Sequence, residues 1–205
     1  LYNQSCISCH GRNLQGVPSR GPSLVGVGGA AVDFQVTTGR MPVAAQSAQV
    51  PRRKPRFDHE QARQMAAYVQ SLGGGPDIPS GSLADGELAR GGRLFRLNCA
   101  SCHNFVGQGG ALSSGKYAPS LHKATPTQVY EAMLTGPQSM PVFGDNQLTP
   151  QEKLDIISYV ESLKRERDPG GLAIGRVGPV PEGMVIWIVG IGLTIIATLW
   201  IGVKA

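Results

Sequence analysis

Every cysteine of this 205-residue chain lies in one of two pentads, Cys6-Ile7-Ser8-Cys9-His10 and Cys99-Ala100-Ser101-Cys102-His103. Cys-x-x-Cys-His is the attachment spacing of c-type haem. Two thiols about one helical turn apart can form thioethers to the two vinyl groups of one porphyrin. The adjacent imidazole then lies under the iron. Two covalently bound haem c groups are therefore expected, held by Cys6 and Cys9 and by Cys99 and Cys102, with His10 and His103 as axial ligands. A zinc site drawn from both pentads would hold more donors than a closed tetrahedral site needs. A dithiol redox pair has no use for a histidine in the same register twice. No cysteine remains for a disulfide or a reactive thiol.

Each iron needs a sixth ligand or an open position, and one methionine follows each pentad in a Gly/Pro-punctuated loop. Met41 stands in Thr38-Gly39-Arg40-Met41-Pro42, and Met140 in Gly136-Pro137-Gln138-Ser139-Met140-Pro141. A thioether opposite an imidazole raises the reduction potential. Met65 falls on the apolar stripe Ala62, Met65, Ala66, Val69, Leu72 and is predicted to be core. Met133 lies in the helix-like run Val129–Leu134 and is the runner-up for the second iron; Met184 opens the apolar tail. His59 and His122 are alternative ligands, but a bis-histidine arrangement leaves the repeated Met-Pro pair unexplained. With both axial positions filled, peroxide or nitrite chemistry is disfavoured and electron transfer is expected.

The pentads belong to an internal repeat. Leu1-Tyr2 precedes the first as Leu94-Phe95 precedes the second. Pro22-Ser23-Leu24 recurs as Pro119-Ser120-Leu121, and Tyr68-Val69-Gln70-Ser71-Leu72 as Tyr159-Val160-Glu161-Ser162-Leu163. Each half thus runs pentad, Pro-Ser-Leu loop, Met-Pro loop, amphipathic helix. Asp58 with Gln61, and Thr149 with Pro150 and Glu152, are helix-start signals. Gly73-Gly74-Gly75-Pro76 and Asp168-Pro169-Gly170-Gly171 are stops. The predicted organisation is a first domain over 1–73, a linker over 74–84, a second domain over 85–168, a second linker over 169–183 and a membrane helix over 184–203.

Each half resembles a small, all-helical, single-haem cytochrome c domain. In the second, Gly91 and Phe95 stand eight and four residues before Cys99, as that family's Gly-x-x-x-aromatic helix contact requires. The first half departs from the pattern, since Leu1 stands five residues before Cys6 and most of the expected first helix is missing. The chain is expected to be clipped at its start. The implied fold class is all-α: two tandem cytochrome c domains followed by one C-terminal transmembrane helix, with almost no strand. Domains this small bury little surface alone, and a covalently held porphyrin would supply the missing apolar core.

Val185 to Val203 is an uncharged stretch of 19 residues bracketed by Trp187 and Trp200. At about 1.5 Å per residue it reaches across the hydrocarbon core of a bilayer, and indoles favour the two interfaces. Gly190, Thr194, Thr198 and Gly202 leave one face small, which lets a neighbouring helix approach closely. Thioether attachment of haem takes place outside the cytoplasmic membrane. The haem domains are therefore expected on the outer (periplasmic) side of the plasma membrane, with the C-terminus cytoplasmic.

The net charge of +5 comes with no nucleic-acid-binding motif, and no nucleic-acid partner is expected. The densest basic cluster is Arg52, Arg53, Lys54 and Arg56. It can be a solvated loop, a docking patch for an acidic redox partner, or counter-charge to haem propionates.

Two haem domains followed by a C-terminal membrane helix resemble the dihaem cytochrome c subunit of the actinobacterial cytochrome bcc complex, a menaquinol–cytochrome c reductase. The resemblance implies a relay from a Rieske iron–sulfur protein through the two haems to an aa-type terminal oxidase, with cytochrome b and membrane lipid as further partners. The chain would be the electron-transfer subunit of a quinol–cytochrome c oxidoreductase, with no substrate-converting site of its own. The residues carried over are Cys6, Cys9, His10, Met41, Cys99, Cys102, His103 and Met140. Alternatives are the dihaem subunit of a cbb-type oxidase, the cytochrome subunit of a periplasmic dehydrogenase, and a dihaem peroxidase.

Overall fold

Capping chemistry sets the helix starts. Asp58 accepts the Gln61 N–H at 2.8 Å, and the Gln61 side chain accepts the Asp58 N–H at 3.1 Å. Thr149 and Glu152 make the same reciprocal pair at 2.8 and 3.3 Å, ahead of Pro150 at the first helical position. A third box, Thr125 with Gln128, opens a helix that the sequence marks only by its later apolar run.

The computed structural model describes residues 1–45, 47–165, 174 and 179–204. Its helices are α1 (Tyr2–Ser5), α2 (Ile7–His10), α3 (Gly28–Thr37), α4 (His59–Gly73), α5 (Leu88–Asn98), α6 (Ala100–His103), α7 (Pro126–Thr135), α8 (Pro150–Arg165) and α9 (Pro179–Lys204). Strand structure among the described residues is limited to a two-residue antiparallel pair, β1 (Gly110–Ala111) and β2 (Tyr117–Ala118), plus an isolated bridge between Val17 and Gly21.

In the C-terminal half, α5 crosses α8 at a glycine. A Cβ on Gly91 would stand 1.9 Å from the Asp155 carbonyl oxygen, so only glycine permits this approach. One turn on, Phe95 stacks on Tyr159 with ring centroids 5.4 Å apart. The N-terminal half repeats the contact with Tyr2 on Tyr68 at 5.0 Å, which is where the repeat register pairs them. Asp155 is buried against this crossing. Burial alone would raise its pKa, but the Arg90 guanidinium, the Glu87 N–H at 2.7 Å and the Gln151 amide outweigh that and hold it below the usual carboxylate range.

The larger core gathers Phe95, Val129, Met133, Phe143, Leu148, Ile156, Ile157, Val160 and Leu163. The N-terminal half has two smaller clusters, Tyr2 with Leu14 and Val69, and Val36 with Ala62 and Met65. Met65 and Met133 are thus both core side chains, 1 % and 2 % exposed.

The halves meet where α3 packs on α7. Gln128 is the polar hinge of that contact, donating to Thr37 Oγ1 at 3.2 Å and accepting from Arg52 Nη1 at 3.0 Å. The loop after Met41 also lies on the C-terminal half. Gln49 and Tyr117 exchange two hydrogen bonds, at 2.6 and 2.9 Å, and Gln138 donates to the Val50 carbonyl at 2.8 Å. Two carboxyls, Asp33 on α3 and Glu131 on α7, are buried face to face in the same contact.

Helix α9 starts at Pro179, five residues earlier than the predicted 184. Pro179 at the first helical position and Glu182 in the first turn both favour an earlier start, so the last five residues of the predicted linker 169–183 are helical. The Asp168–Gly171 stop signal lies outside the described residues. The apolar side chains of α9 are exposed along its length, and it is long and apolar enough to cross a membrane.

Candidate haem-attachment sites

Both pentads fold alike. Cys6 and Cys99 stand at the junctions between α1 and α2 and between α5 and α6, and the second cysteine and the histidine follow in the short helix. Cys6, Cys9 and Cys99 are half-buried and Cys102 is exposed. Burial pushes the Cys99 thiol up to about 12, helped by the neighbouring Cys102. Burial, with the neighbouring Cys9, also raises the Cys6 thiol.

The two histidines are held in the same way. His10 Nδ1 lies 2.8 Å from the Pro22 carbonyl oxygen, and His103 Nδ1 lies 2.9 Å from that of Pro119. A carbonyl can only accept, so Nδ1 carries the hydrogen and the lone pair is left on Nε2. Burial lowers the His103 pKa, favouring the neutral ring that ligation needs, although the Pro119 bond works the other way. These carbonyls give the repeated Pro-Ser-Leu its role, which the sequence recorded only as a register mark. Close backbone packing fixes the loops. A Cβ on Gly21 would meet the Cys9 carbonyl at 2.7 Å, and one on Gly110 the Cys102 carbonyl at 3.1 Å.

In the C-terminal half, all four expected residues come together. Cys99, Cys102, His103 and Met140 line one cleft, with apolar walls that include Phe95, Val129 and Met133. Its cavity volume is about 260 Å³. In the N-terminal half, Cys6 and Met41 pack against the same apolar cluster of Val36, Ala62 and Met65. The alternative histidines lie elsewhere. His122 Nε2 is engaged with the Val106 carbonyl at 2.8 Å, and His59 is exposed on the first turn of α4.

The sequence missed several contributors to the C-terminal cleft, Gln49 among them, because they come from the other half. Phe34 and Arg40 line it, as does Arg52 from the basic loop. Arg40 is only 7 % exposed, and its Nη1 has no hydrogen-bond partner. Burial, then the nearby Arg52, lowers its pKa. All four residues of the basic cluster, Arg52, Arg53, Lys54 and Arg56, are exposed, Arg52 while bonded to Gln128. Paired thiols, imidazoles held in one tautomer by proline carbonyls and an apolar cleft edged by cations form a donor set that fits a covalently held porphyrin.

Comparison with known proteins agrees. The family model described as "Cytochrome C oxidase, cbb3-type, subunit III" matches residues 1–69 and 86–160. Full-chain relatives are more specific. The cytochrome bc1 complex cytochrome c subunit of Mycobacterium leprae is 57 % identical over all of this chain and 74 % of its own length. That of Mycobacterium tuberculosis H37Rv is 56 % identical, with 76 % of its length covered, and that of Corynebacterium diphtheriae 52 %, with 79 % covered. The chain belongs to the family of cytochrome bc1 complex cytochrome c subunits. Among solved structures, the Kuenenia stuttgartiensis reducing HAO-like protein complex Kustc0457/Kustc0458 superimposes with a TM-score of 0.39 at 16 % identity, over 79 % of this chain and 93 % of that one. A likeness that loose has no bearing on function. Family membership gives the chain a haem c electron-transfer role and makes α9 the natural membrane anchor.

Proposed function

We propose that the chain is a membrane-anchored dihaem electron-transfer subunit, two tandem cytochrome c domains over 1–73 and 85–168, working within a quinol-oxidising bc-type complex. The observation that carries this is identity above 50 % along the whole chain to subunits named for that complex. Haem c, when bound, supplies a one-electron couple at its iron. Cys6 and Cys9 would hold one group and Cys99 and Cys102 the other.

The protein's part is positional. The Pro22 and Pro119 carbonyls aim Nε2 of His10 and His103 away from the loop. Met41 and Met140, each followed by a proline, would supply each group with a second ligand from the chain. With a histidine and a methionine so supplied, neither site would offer an opening for a small-molecule substrate. The dihaem peroxidase alternative loses support for that reason.

The partners follow from the same reading: a Rieske iron–sulfur protein as donor, a cytochrome b subunit beside α9, and an aa-type terminal oxidase as acceptor. The haem domains would face the outside, with Lys204 on the cytoplasmic side. A tethered dihaem arm would replace a diffusing carrier and work by effective concentration.

The test is extraction of the native assembly in mild detergent through a tag on this chain. Recovery of cytochrome b and a Rieske protein is expected. Recovery of a cbb-type oxidase core in their place would overturn the assignment.

A further inference from the structure

Arg40 is buried at 7 % exposure, yet Nη1 has no acceptor. A guanidinium left unpaired in a protein interior is costly, so a group absent from the polypeptide is expected to meet it. Its surroundings say which kind. The side chain lies over the Phe34 ring at 5.1 Å and lines the cleft that also contains Cys99, Cys102, His103 and Met140. Arg52 lines the same cleft, anchored through one nitrogen to Gln128. Two guanidinium groups on one wall of an apolar cleft match paired carboxylates, which arginine binds in a planar fork.

The position of Arg40 in the chain adds a second point. Backbone bonds from the Arg40 and Met41 N–H groups to the Gln35 carbonyl, at 2.9 and 3.0 Å, pin this dipeptide at the end of α3. Gly39 makes the turn at φ +67°, and a Cβ there would meet the Arg53 carbonyl at 2.3 Å. Consecutive residues therefore serve different sites. Met41 packs, as Cys6 does, against the Val36, Ala62 and Met65 cluster of the first half, while Arg40 lines the cleft of the second.

We propose that Arg40, with Arg52, is a carboxylate-binding site built by the first half for the propionates of the haem attached at Cys99 and Cys102. The Arg40–Met41 dipeptide thereby ties the two haem sites to each other at a fixed spacing. The proposal rests on the dihaem reading above. Arg40 is a positioning residue, and the docking of α3 on α7 completes the second site.

The experiment is a spectroscopic redox titration of the full, haem-loaded chain carrying Arg40→Gln, Arg40→Lys or Arg52→Gln, with haem counted per chain. Two haems per chain are expected in every variant. Loss of a positive charge beside the propionates favours the ferric form. In Arg40→Gln the ferric-to-ferrous ratio of one haem, at fixed applied potential, is expected to rise roughly threefold or more. That haem is the one whose potential Met140→Ala also moves. Arg52→Gln, which removes the second guanidinium and its bond to Gln128, moves the same haem in the same direction, and Arg40→Lys largely restores it. Two retained haems with unmoved potentials would overturn the proposal while leaving the dihaem reading intact, as would a shift confined to the haem that Met41→Ala perturbs. A wild-type count of one haem would overturn the dihaem reading itself, and the proposal with it.

Discussion

Glu131 is a fully buried carboxyl with no donor in reach, and it faces Asp33 across the α3–α7 contact. Burial, then the neighbouring Asp33, pushes its pKa up from 4.5 to about 9, with Arg63 opposing. Asp33 is also raised, chiefly by burial, with the proton on Glu131 and the charges of His59 and Arg63 acting against it. The two carboxyls therefore share a proton at neutral pH and titrate as a pair. Because the folded pKa of Glu131 lies above its unfolded value, the folded chain holds more protons between about pH 4.5 and 9. Stability falls as pH rises through that window. At pH 7 the gap of about 2.5 units corresponds to about 3 kcal/mol of destabilisation, at ~1.4 kcal/mol per unit. Across pH 6 to 8 wild type is expected to lose ~3 kcal/mol in all from this group. Glu131→Gln keeps the shape, needs no proton and offers an N–H to Asp33. It is expected to be more stable at pH 7 by up to about 3 kcal/mol and to lose most of the pH 6–8 slope. Guanidinium unfolding of the haem-loaded chain in detergent, with hydrogen exchange on α3 and α7 to localise the effect, measures both. A variant no more stable than wild type, with the same slope, would refute a buried and protonated Glu131.

Three further outcomes follow from the geometry. Met140→Ala removes the thioether from the second site, so the potential of that haem is expected to fall and the vacated position to bind added cyanide, read by visible spectroscopy. Gly91→Ala places a methyl 1.9 Å from the Asp155 carbonyl. It is expected to force α5 off α8, costing about 3 kcal/mol or more in unfolding free energy; an unchanged midpoint would show the crossing to be loose. Ile191→Arg puts a charge in the middle of α9 at ~2.5–3.5 kcal/mol. It is expected to reduce membrane retention on fractionation, and full retention would argue against α9 as the anchor.

The parts that the sequence made legible are those whose chemistry is local. The pentads need five consecutive residues, and the Asp58 and Thr149 boxes need four each. The membrane helix needs only an uncharged run of sufficient length. Gly91 and Phe95 were legible because a helix crossing that demands glycine leaves a fixed spacing. Helix α3 was not. Its Gly28-Gly29-Ala30-Ala31 opening has no capping side chain, and it is buried on more than one side, so no apolar stripe marks it. Its partner α7 left a clearer trace in Val129–Leu134. No local pattern sets Arg40, Asp33 or Glu131 apart from ordinary surface charges. What changed their character is the docking of α3 on α7, a contact between residues about a hundred positions apart that no local pattern encodes. The same docking divides the basic loop. Arg52, exposed like Arg53, Lys54 and Arg56, alone among them reaches Gln128 on α7 and lines the cleft.

The central claim is that both pentads hold haem in one electron-transfer chain. The intact mass of the chain purified from its native membrane tests it most directly, with Cys6→Ser/Cys9→Ser and Cys99→Ser/Cys102→Ser variants alongside. The account expects the polypeptide plus two haems in wild type and plus one in each double variant. A wild-type mass with one haem or none, or a double variant that keeps both, would contradict it.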